Sequence, residues 1–210
     1  MTTAQPTDQP NSQAAVQSLV GPQFRALADA LAAQPSSIAD LPSLCEGWSV
    51  RNVLAHMTMA ARYDAEAFQA ELAAVGHNFQ TLSDAIAQRD GRLPLEELIE
   101  GLRSDTMAQW APPGGGAVGA LTHVVIHGLD ITSAVGLART ATDATTHQVL
   151  DILTTGGVHQ RFGTRIAGRA LQATDLDWAF GDGEPVAAEA ADLILAMAGR
   201  PRPRIDLGAP

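Results

Sequence analysis

The spacing of apolar residues along the chain predicts a mainly helical protein. Between residues 14 and 34, apolar side chains recur at intervals of three and four, as expected for a helix with one buried face. These positions are Val16, Val20, Phe24, Leu27 and Leu31. Ser49 is placed to cap a second helix, which we expect to continue to about Val75, and Trp48 and Val53 would pack across its first turn as a hydrophobic staple.

The rest of the chain predicts further helices and one small hairpin. Residues 76–92 have a mixed pattern, which we interpret as a connection containing a short helical turn. The Pro-Pro-Gly-Gly-Gly run that ends at Gly116 breaks the chain, and Gly136 is a natural end for the helix that follows. The predicted elements are helices over 94–110, 118–136, 145–160 and 187–198, and a hairpin over 170–180.

These elements suggest three regions. Residues 1–13 are polar, contain proline and lack periodicity, so they are predicted to form a disordered tail. Residues 14–140 would form the main helical domain. Residues 141–210 would form a small C-terminal α/β appendage, a hairpin plus a helix, packed on that domain.

Composition and charge limit the possible functions. The 210 residues are 46% apolar, which is enough for one sizeable core, and the net charge of −10 disfavours binding to nucleic acid or to a membrane surface. No apolar run approaches the roughly 20 residues of a membrane span, and the N-terminus lacks the pattern of a secretory signal. We therefore expect a cytoplasmic protein. Cys45, the only cysteine, is expected to be a buried apolar residue and not a nucleophile.

The strongest chemical signal is a pair of histidines four residues apart, His123 and His127, in a predicted apolar helix. This spacing puts both imidazoles on one face, where they can share a metal ion. The best candidate for a third ligand is His56, early in the second helix. Three imidazoles would leave a coordination position open, as in catalytic metal sites. The alternative is that these are ordinary core or surface histidines.

Several other residues have possible roles near such a site. Asp130, three residues after His127, could accept a hydrogen bond from that ligand, or it could pair with an arginine. Tyr63 and Met59 are candidates for the substrate pocket, although Tyr63 could equally pack between helices. The remaining histidines, which we expect to be exposed, are His77, His147 and His159.

Other catalytic motifs are absent from the sequence. There is no Gly-x-Ser-x-Gly elbow and no Ser-His-Asp order, and the glycine run before Gly116 is not followed by the lysine of a phosphate loop. The general acid or base stays unknown at this point.

Two sequence blocks resemble a known family. The block Leu41-Pro-Ser-Leu-Cys-Glu-Gly-Trp-Ser-Val-Arg-Asn-Val-Leu-Ala-His56, followed by His123-Val-Val-Ile-His-Gly-Leu-Asp130, resembles the DinB-like superfamily, and within it the mycothiol-dependent maleylpyruvate isomerase branch. The segment 181–200 is similar to the end of actinobacterial members. In that branch we would expect a glutamate four residues before the later histidine, where this chain has His123.

The resemblance implies a fold and an activity. The fold is a DinB-like four-helix bundle that holds one divalent metal, most simply zinc with nickel or iron as alternatives, at His56, His123 and His127. The activity is S-transfer or isomerisation that uses mycothiol or a similar thiol on a small, carboxylate-bearing substrate. The alternatives are a non-catalytic metal or small-molecule binding protein of the same fold, and a metal-dependent hydrolase. A homodimer is also compatible with the bundle.

Overall fold

The computed structural model describes residues 9–200, 205 and 207, and in this part of the chain the protein is mainly helical. Two 3-10 segments, Ser36–Asp40 and Thr155–Phe162, join longer elements. The α-helices are α1 (Gln9–Ala32), α2 (Val50–Met57), α3 (Met59–Arg62), α4 (Ala65–Ala74), α5 (Phe79–Asp90), α6 (Leu95–Arg103), α7 (Asp105–Gln109), α8 (Gly116–Val135), α9 (Asp143–Thr154) and α10 (Ala190–Met197). The strands are β1 (Arg169–Ala173), β2 (Ala179–Phe180) and β3 (Glu184–Ala188).

The core of the helical bundle is formed by four helices that contact one another in a closed ring. Helix α1 packs against α8 and α6, and α2 packs against the same two helices. The apolar stripe predicted for the first helix is buried along its whole length, from Val16 at 6% exposure to Leu31 at 0%. The periodicity of α1 therefore identified the core-facing side correctly.

Helix α8 is the central helix of the bundle. It ends as predicted, with Gly136 in the left-handed conformation at φ 73°, where a side chain would be strained. Among the described residues, α8 is the one helix whose length and mean hydropathy of 1.3 would allow a membrane span, contrary to the expectation from the sequence. However, 61% of this apolar window is buried inside the protein, as in the core helix of a bundle.

The predicted second and third helices are both interrupted. The second is divided at Thr58 and again at Tyr63, where the backbone is extended and Asp64 caps the new helix α4 by accepting a hydrogen bond from the Ala67 amide. The third is divided at Ser104, which caps α7 in the same way through the Met107 amide. At Asp64 and Ser104, therefore, a side chain that competes for backbone amides starts the new helix, whereas Thr58 forms no such cap.

The connection predicted over residues 76–92 is wrong, because most of it forms the twelve-residue helix α5. Asn78 caps this helix by accepting a hydrogen bond from the Thr81 amide. The sequence of this helix is mostly polar, so its two fully buried positions, Leu82 and Ile86, were not recognised from the pattern. Helix α5 packs against α2, and this contact brings it beside the histidine cluster.

The C-terminal part contains the predicted hairpin, with β1 antiparallel to β2, and a third strand that the sequence pattern did not reveal. Strand β3 lies parallel to β1 on its other side, so the last helix begins at Ala190, and not at 187 as predicted. Helices α9 and α10 pack on each other and on α8. The resulting appendage, a small sheet with helices, joins the bundle through one continuous buried cluster.

The predicted N-terminal tail of residues 1–13 is described only in part. Helix α1 begins at Gln9, inside the predicted tail, so the prediction is wrong for residues 9–13. The preceding residues lie outside the described part of the chain. The domain boundary near residue 140 stays a prediction.

Candidate metal centre and cavity

His56 lies on the short helix α2, whose N-terminus is stabilised by side-chain capping. The Asn52 carboxamide oxygen accepts hydrogen bonds from both the amide and the hydroxyl of Ser49, at 2.9 and 2.7 Å, which fixes the first turn of α2. His56 follows on the last turn, where its ring lies 5.2 Å from that of Trp48, centroid to centroid. Its Nδ1 is 2.9 Å from the Ser83 hydroxyl of α5, so Nε2 is the nitrogen left to face the other histidines.

His123 and His127 lie one turn apart on α8, with ring centroids 4.7 Å apart. The His56 ring from α2 lies 5.2 Å from the His123 ring and 4.9 Å from the His127 ring, so the three imidazoles form one cluster. One ligand atom from each can be chosen so that all lie within 4.8 Å of one another. The spacing on α8 and the packing of α2 against it therefore bring together the three histidines singled out in the sequence.

The geometry of this cluster fits a metal ion. The Nε2 atoms of His56 and His123 are 3.2 Å apart. Two nitrogens bound tetrahedrally to one ion at 2.0–2.1 Å would be about 3.3 Å apart, so this pair needs little movement. His123 faces His56 through Nε2, while its Nδ1 atom is buried without a hydrogen-bond partner among the described residues.

Burial keeps two of these imidazoles neutral. It lowers the pKa of His56 to about 3, and the neighbouring His127 contributes to this shift. Burial also lowers the pKa of His123 well below its ordinary value, helped by His127 and His56. A neutral imidazole keeps a lone pair for a metal, so protons compete weakly for these two ligands near neutral pH.

Asp130 is a fully buried carboxylate beside the cluster, and it accepts hydrogen bonds from several groups. Its Oδ2 lies 3.0 Å from His127 Nδ1, and the Arg200 guanidinium donates to both of its oxygens, at 2.9 and 2.6 Å. Burial alone would raise the pKa of Asp130, but the bonds from His127 and Arg200 hold it well below its usual range. Both sequence alternatives for Asp130, a histidine partner and an arginine partner, are thus present together.

Cys45 belongs to the same polar network. Its thiol donates to Asp130 Oδ2 at 3.1 Å and lies 3.8 Å from His127 Nδ1. Burial, together with the adjacent Asp130 carboxylate, raises the pKa of this thiol to about 12. The thiol is therefore protonated at neutral pH, which disfavours a nucleophilic role. The expectation that Cys45 is a buried apolar residue is wrong, because its side chain is half-buried and hydrogen-bonded to Asp130.

A cavity of about 1100 Å³ opens beside the histidines, and all three line it. The predicted pocket residues Tyr63 and Met59 line it as well. The Tyr63 hydroxyl donates to Asp90 at 2.9 Å and accepts from Arg89, so it is held by charged neighbours at the edge of the cavity. Apolar side chains make up much of the remaining wall: Leu44, Trp48, Met57, Ala60, Phe68, Phe79, Trp110 and Phe162.

Some residues of the site were missed or misjudged from the sequence. Ser83 lies in the segment wrongly predicted as a connection, and Arg200 reaches Asp130 across 70 positions, so no spacing could have revealed either contact. Among the other histidines, His77 and His147 are exposed as predicted. His159 is not: it is buried, with Nδ1 3.1 Å from the Leu153 carbonyl oxygen.

The fold and the site together define a class: helical-bundle proteins with an internal cavity lined by three clustered, metal-compatible imidazoles. Residues 20–111 match the model of the mycothiol maleylpyruvate isomerase N-terminal domain, so this part of the chain is similar to that family. The matched segment contains His56, Met59 and Tyr63, and it ends before α8.

Among solved structures, the crystal structure of the mycothiol-dependent maleylpyruvate isomerase is similar over 91% of this chain and 89% of that chain, with 16% sequence identity and a TM-score of 0.37. No curated protein matches the chain. The similarity to this family is therefore carried by residues 20–111.

Proposed function

We propose that the protein is a metal-dependent enzyme that uses a low-molecular-weight thiol of the mycothiol type for S-transfer or thiol-assisted isomerisation of a small molecule. The observation that carries this proposal is the cluster of His56, His123 and His127 beside a large cavity. The family match of residues 20–111 supports the choice of thiol, because that family is named for mycothiol.

In this proposal the three imidazoles would hold one divalent ion, with zinc as the first choice and nickel or iron as alternatives. Three ligands leave a coordination position open, whereas a structural zinc site is usually closed by four. When bound, such an ion supplies positive charge that makes a nearby thiol lose its proton near neutral pH. Neutral ligands would leave that charge undiminished.

The protein's own side chains would keep the ligands in place. Asp130 accepts the Nδ1 proton of His127, which leaves the Nε2 lone pair of that ring free for the ion. In the same way, the Ser83 hydroxyl would accept the Nδ1 proton of His56, which leaves the Nε2 lone pair of that ring for the ion. The fixed tautomers and ring directions would let the cluster bind an ion with only small side-chain movements.

The size of the cavity favours a reaction between two molecules. Pockets for a single drug-sized ligand are roughly 300–1000 Å³. A cavity of about 1100 Å³ therefore has room for a thiol and a second small molecule together.

The first experiment is elemental analysis of the purified protein beside the variant His56→Ala/His123→Ala/His127→Ala. About one divalent ion per chain, absent from the triple variant, is the expected result. His147→Ala is the matched control, since it removes an exposed histidine that pairs with Asp151 and should leave metal content unchanged.

The second experiment measures thiol consumption by the metal-loaded protein with a panel of electrophiles and cis-unsaturated substrates. Thiol-dependent turnover that is lost in the triple variant supports the proposal. Turnover without any thiol would favour a hydrolase. Bound metal with no turnover across the panel would favour a binding protein.

A further inference from the structure

The ring of His123 is held differently from the other two imidazoles of the cluster. Asp130 lies 3.0 Å from His127 Nδ1, and the Ser83 hydroxyl lies 2.9 Å from His56 Nδ1. The Nδ1 atom of His123 is buried and has no hydrogen-bond partner among the described residues. A metal-binding histidine normally has such a partner, which fixes the direction of its ring. Another kind of contact must therefore orient His123.

The side chain of Trp110 is placed to orient this ring by packing. Its ring centroid lies 4.9 Å from that of His123, and the two ring planes are inclined at 57°. Aromatic rings at this separation attract each other, and close packing restricts the rotamers of both. Resting on the proposed function, we infer that Trp110 is a positioning residue of the metal centre, which holds the His123 ring in the direction that binds the ion.

The segment that carries Trp110 is fixed on both sides of this residue. The Gln17 carboxamide of α1 donates to the carbonyl oxygen of Trp110 at 3.3 Å. Two residues later, Pro112 lies against the first turn of α8, where a Cβ atom at Gly119 would come within 2.8 Å of Pro112 Cγ. This close approach requires a glycine. Gly119 lies four residues before His123 and shares its helix face. The same face of α8 is therefore held twice, by Pro112 at the glycine and by Trp110 at the histidine one turn later.

Trp110 also belongs to the wall of the cavity. It is half-buried, and it lines the cavity together with the three histidines. A molecule bound in the cavity can therefore contact the same side chain that orients His123. Measuring metal binding in the absence of thiol and substrate separates the two roles, because only the positioning role then contributes.

The first test replaces Trp110 and measures the affinity for zinc by competition with a coloured chelator. We expect Trp110→Leu to weaken zinc binding about tenfold, within the range found for the partners of metal-bound histidines. Trp110→Phe keeps an aromatic ring and should restore most of that affinity. The matched control is Trp178→Leu, which removes a tryptophan that is 6% exposed and lies outside the cavity lining. It should lower the stability of the protein but leave the zinc affinity of the folded protein unchanged.

The second test leaves every aromatic side chain in place. In Gly119→Ala the added methyl group forces Pro112 away from α8, and Trp110, two residues before this proline, should shift with it. Zinc affinity should then fall severalfold, although alanine favours a helix more than glycine does. Gly128→Ala is the matched control in the same helix, because a Cβ atom there meets only ordinary contacts, the nearest at 3.9 Å. It should leave zinc affinity unchanged.

Cobalt in place of zinc provides a measurement that does not depend on overall stability. The visible absorption of bound Co²⁺ depends on the geometry of its ligands. The spectrum should therefore change in Trp110→Leu and in Gly119→Ala, and it should keep the wild-type form in Trp110→Phe and in both controls.

Unchanged zinc affinity in Trp110→Leu would overturn the inference, and so would losses of equal size in the matched controls. In either case the wild-type protein would still bind zinc, and the proposed function would stand. If Trp110→Leu does not fold, Gly119→Ala decides: a loss of zinc affinity supports the inference, and an unchanged affinity overturns it. A wild-type protein that binds no divalent metal would refute the proposed function and the inference together.

Discussion

Replacing Asp130 with asparagine should damage both the stability of the protein and its affinity for metal. The carboxylate is fully buried and accepts hydrogen bonds at both oxygens, so the amide group of asparagine would face a donor in either orientation. The substitution also leaves the buried Arg200 charge without its counterion. Breaking a buried ion pair in this way costs about 3–5 kcal/mol, and we expect about 3 kcal/mol because the Arg200 side chain is 18% exposed.

The expected loss corresponds to a fall of about 6–12 °C in Tm for a chain of this size. It should be measured on chelator-treated protein by urea unfolding, so that metal does not contribute. Metal affinity, measured by competition with a coloured chelator, should fall about 10–100-fold because His127 loses the acceptor for its Nδ1 proton.

Asp143→Asn is the matched control for this substitution. It makes the same change in a carboxylate that also pairs with an arginine, Arg139, at 2.8 Å, but the Asp143 side chain is 75% exposed. Surface pairs of this kind contribute about 0–1 kcal/mol. If Asp130→Asn were no more destabilising than Asp143→Asn, or if its metal affinity were unchanged, the role assigned to Asp130 would be wrong.

Three further predictions concern the histidine cluster. His127→Ala should remove most bound metal in elemental analysis yet keep helical circular dichroism, because the apolar helix faces carry the fold; retained metal would contradict the ligand assignment. Ser83→Ala should lower metal affinity about tenfold in chelator competition, since His56 Nδ1 loses its partner, and unchanged affinity would exclude that role. The metal-free protein should lose about 2 kcal/mol of stability between pH 7 and 5.5. The pKa values of His56 and His123 are lower in the folded state than in the unfolded state. The unfolded chain therefore takes up protons first as the pH falls, which favours unfolding. Urea unfolding at both pH values tests this prediction. The free energy of unfolding of the His56→Ala/His123→Ala variant should change less with pH. Equal stabilities of the wild-type protein at the two pH values would refute the prediction.

The sequence could predict features that depend on neighbours along one helix. The buried stripe of α1 and the shared face of His123 and His127 follow from helical spacing alone, and so does the end of α8 at Gly136. The proximity of His56 to this pair was an expectation about packing, and it depended on the resemblance as much as on the residues. Local periodicity therefore accounts for two of the three clustered imidazoles.

Features that depend on contacts between distant segments could not be predicted in the same way. The breaks at Thr58 and Tyr63 leave the apolar spacing almost unchanged, so periodicity shows one long helix where the structure has three. Helix α5 has a mostly polar sequence, and Leu82 and Ile86 are buried because this helix packs against α2. Ser83 reaches His56 through the same packing, and a serine within a polar segment carries no signal of that role.

The balance of charge around the histidines supports the choice of a thiol as the molecule that binds at the open position. Without metal, the buried groups are nearly neutral overall: Asp130 is paired with Arg200, the imidazoles of His56 and His123 are uncharged, and the Cys45 thiol keeps its proton. A divalent ion held there would add two positive charges that Asp130, already paired, cannot cancel. The excess charge would favour an anionic sulfur from the thiol at the open position.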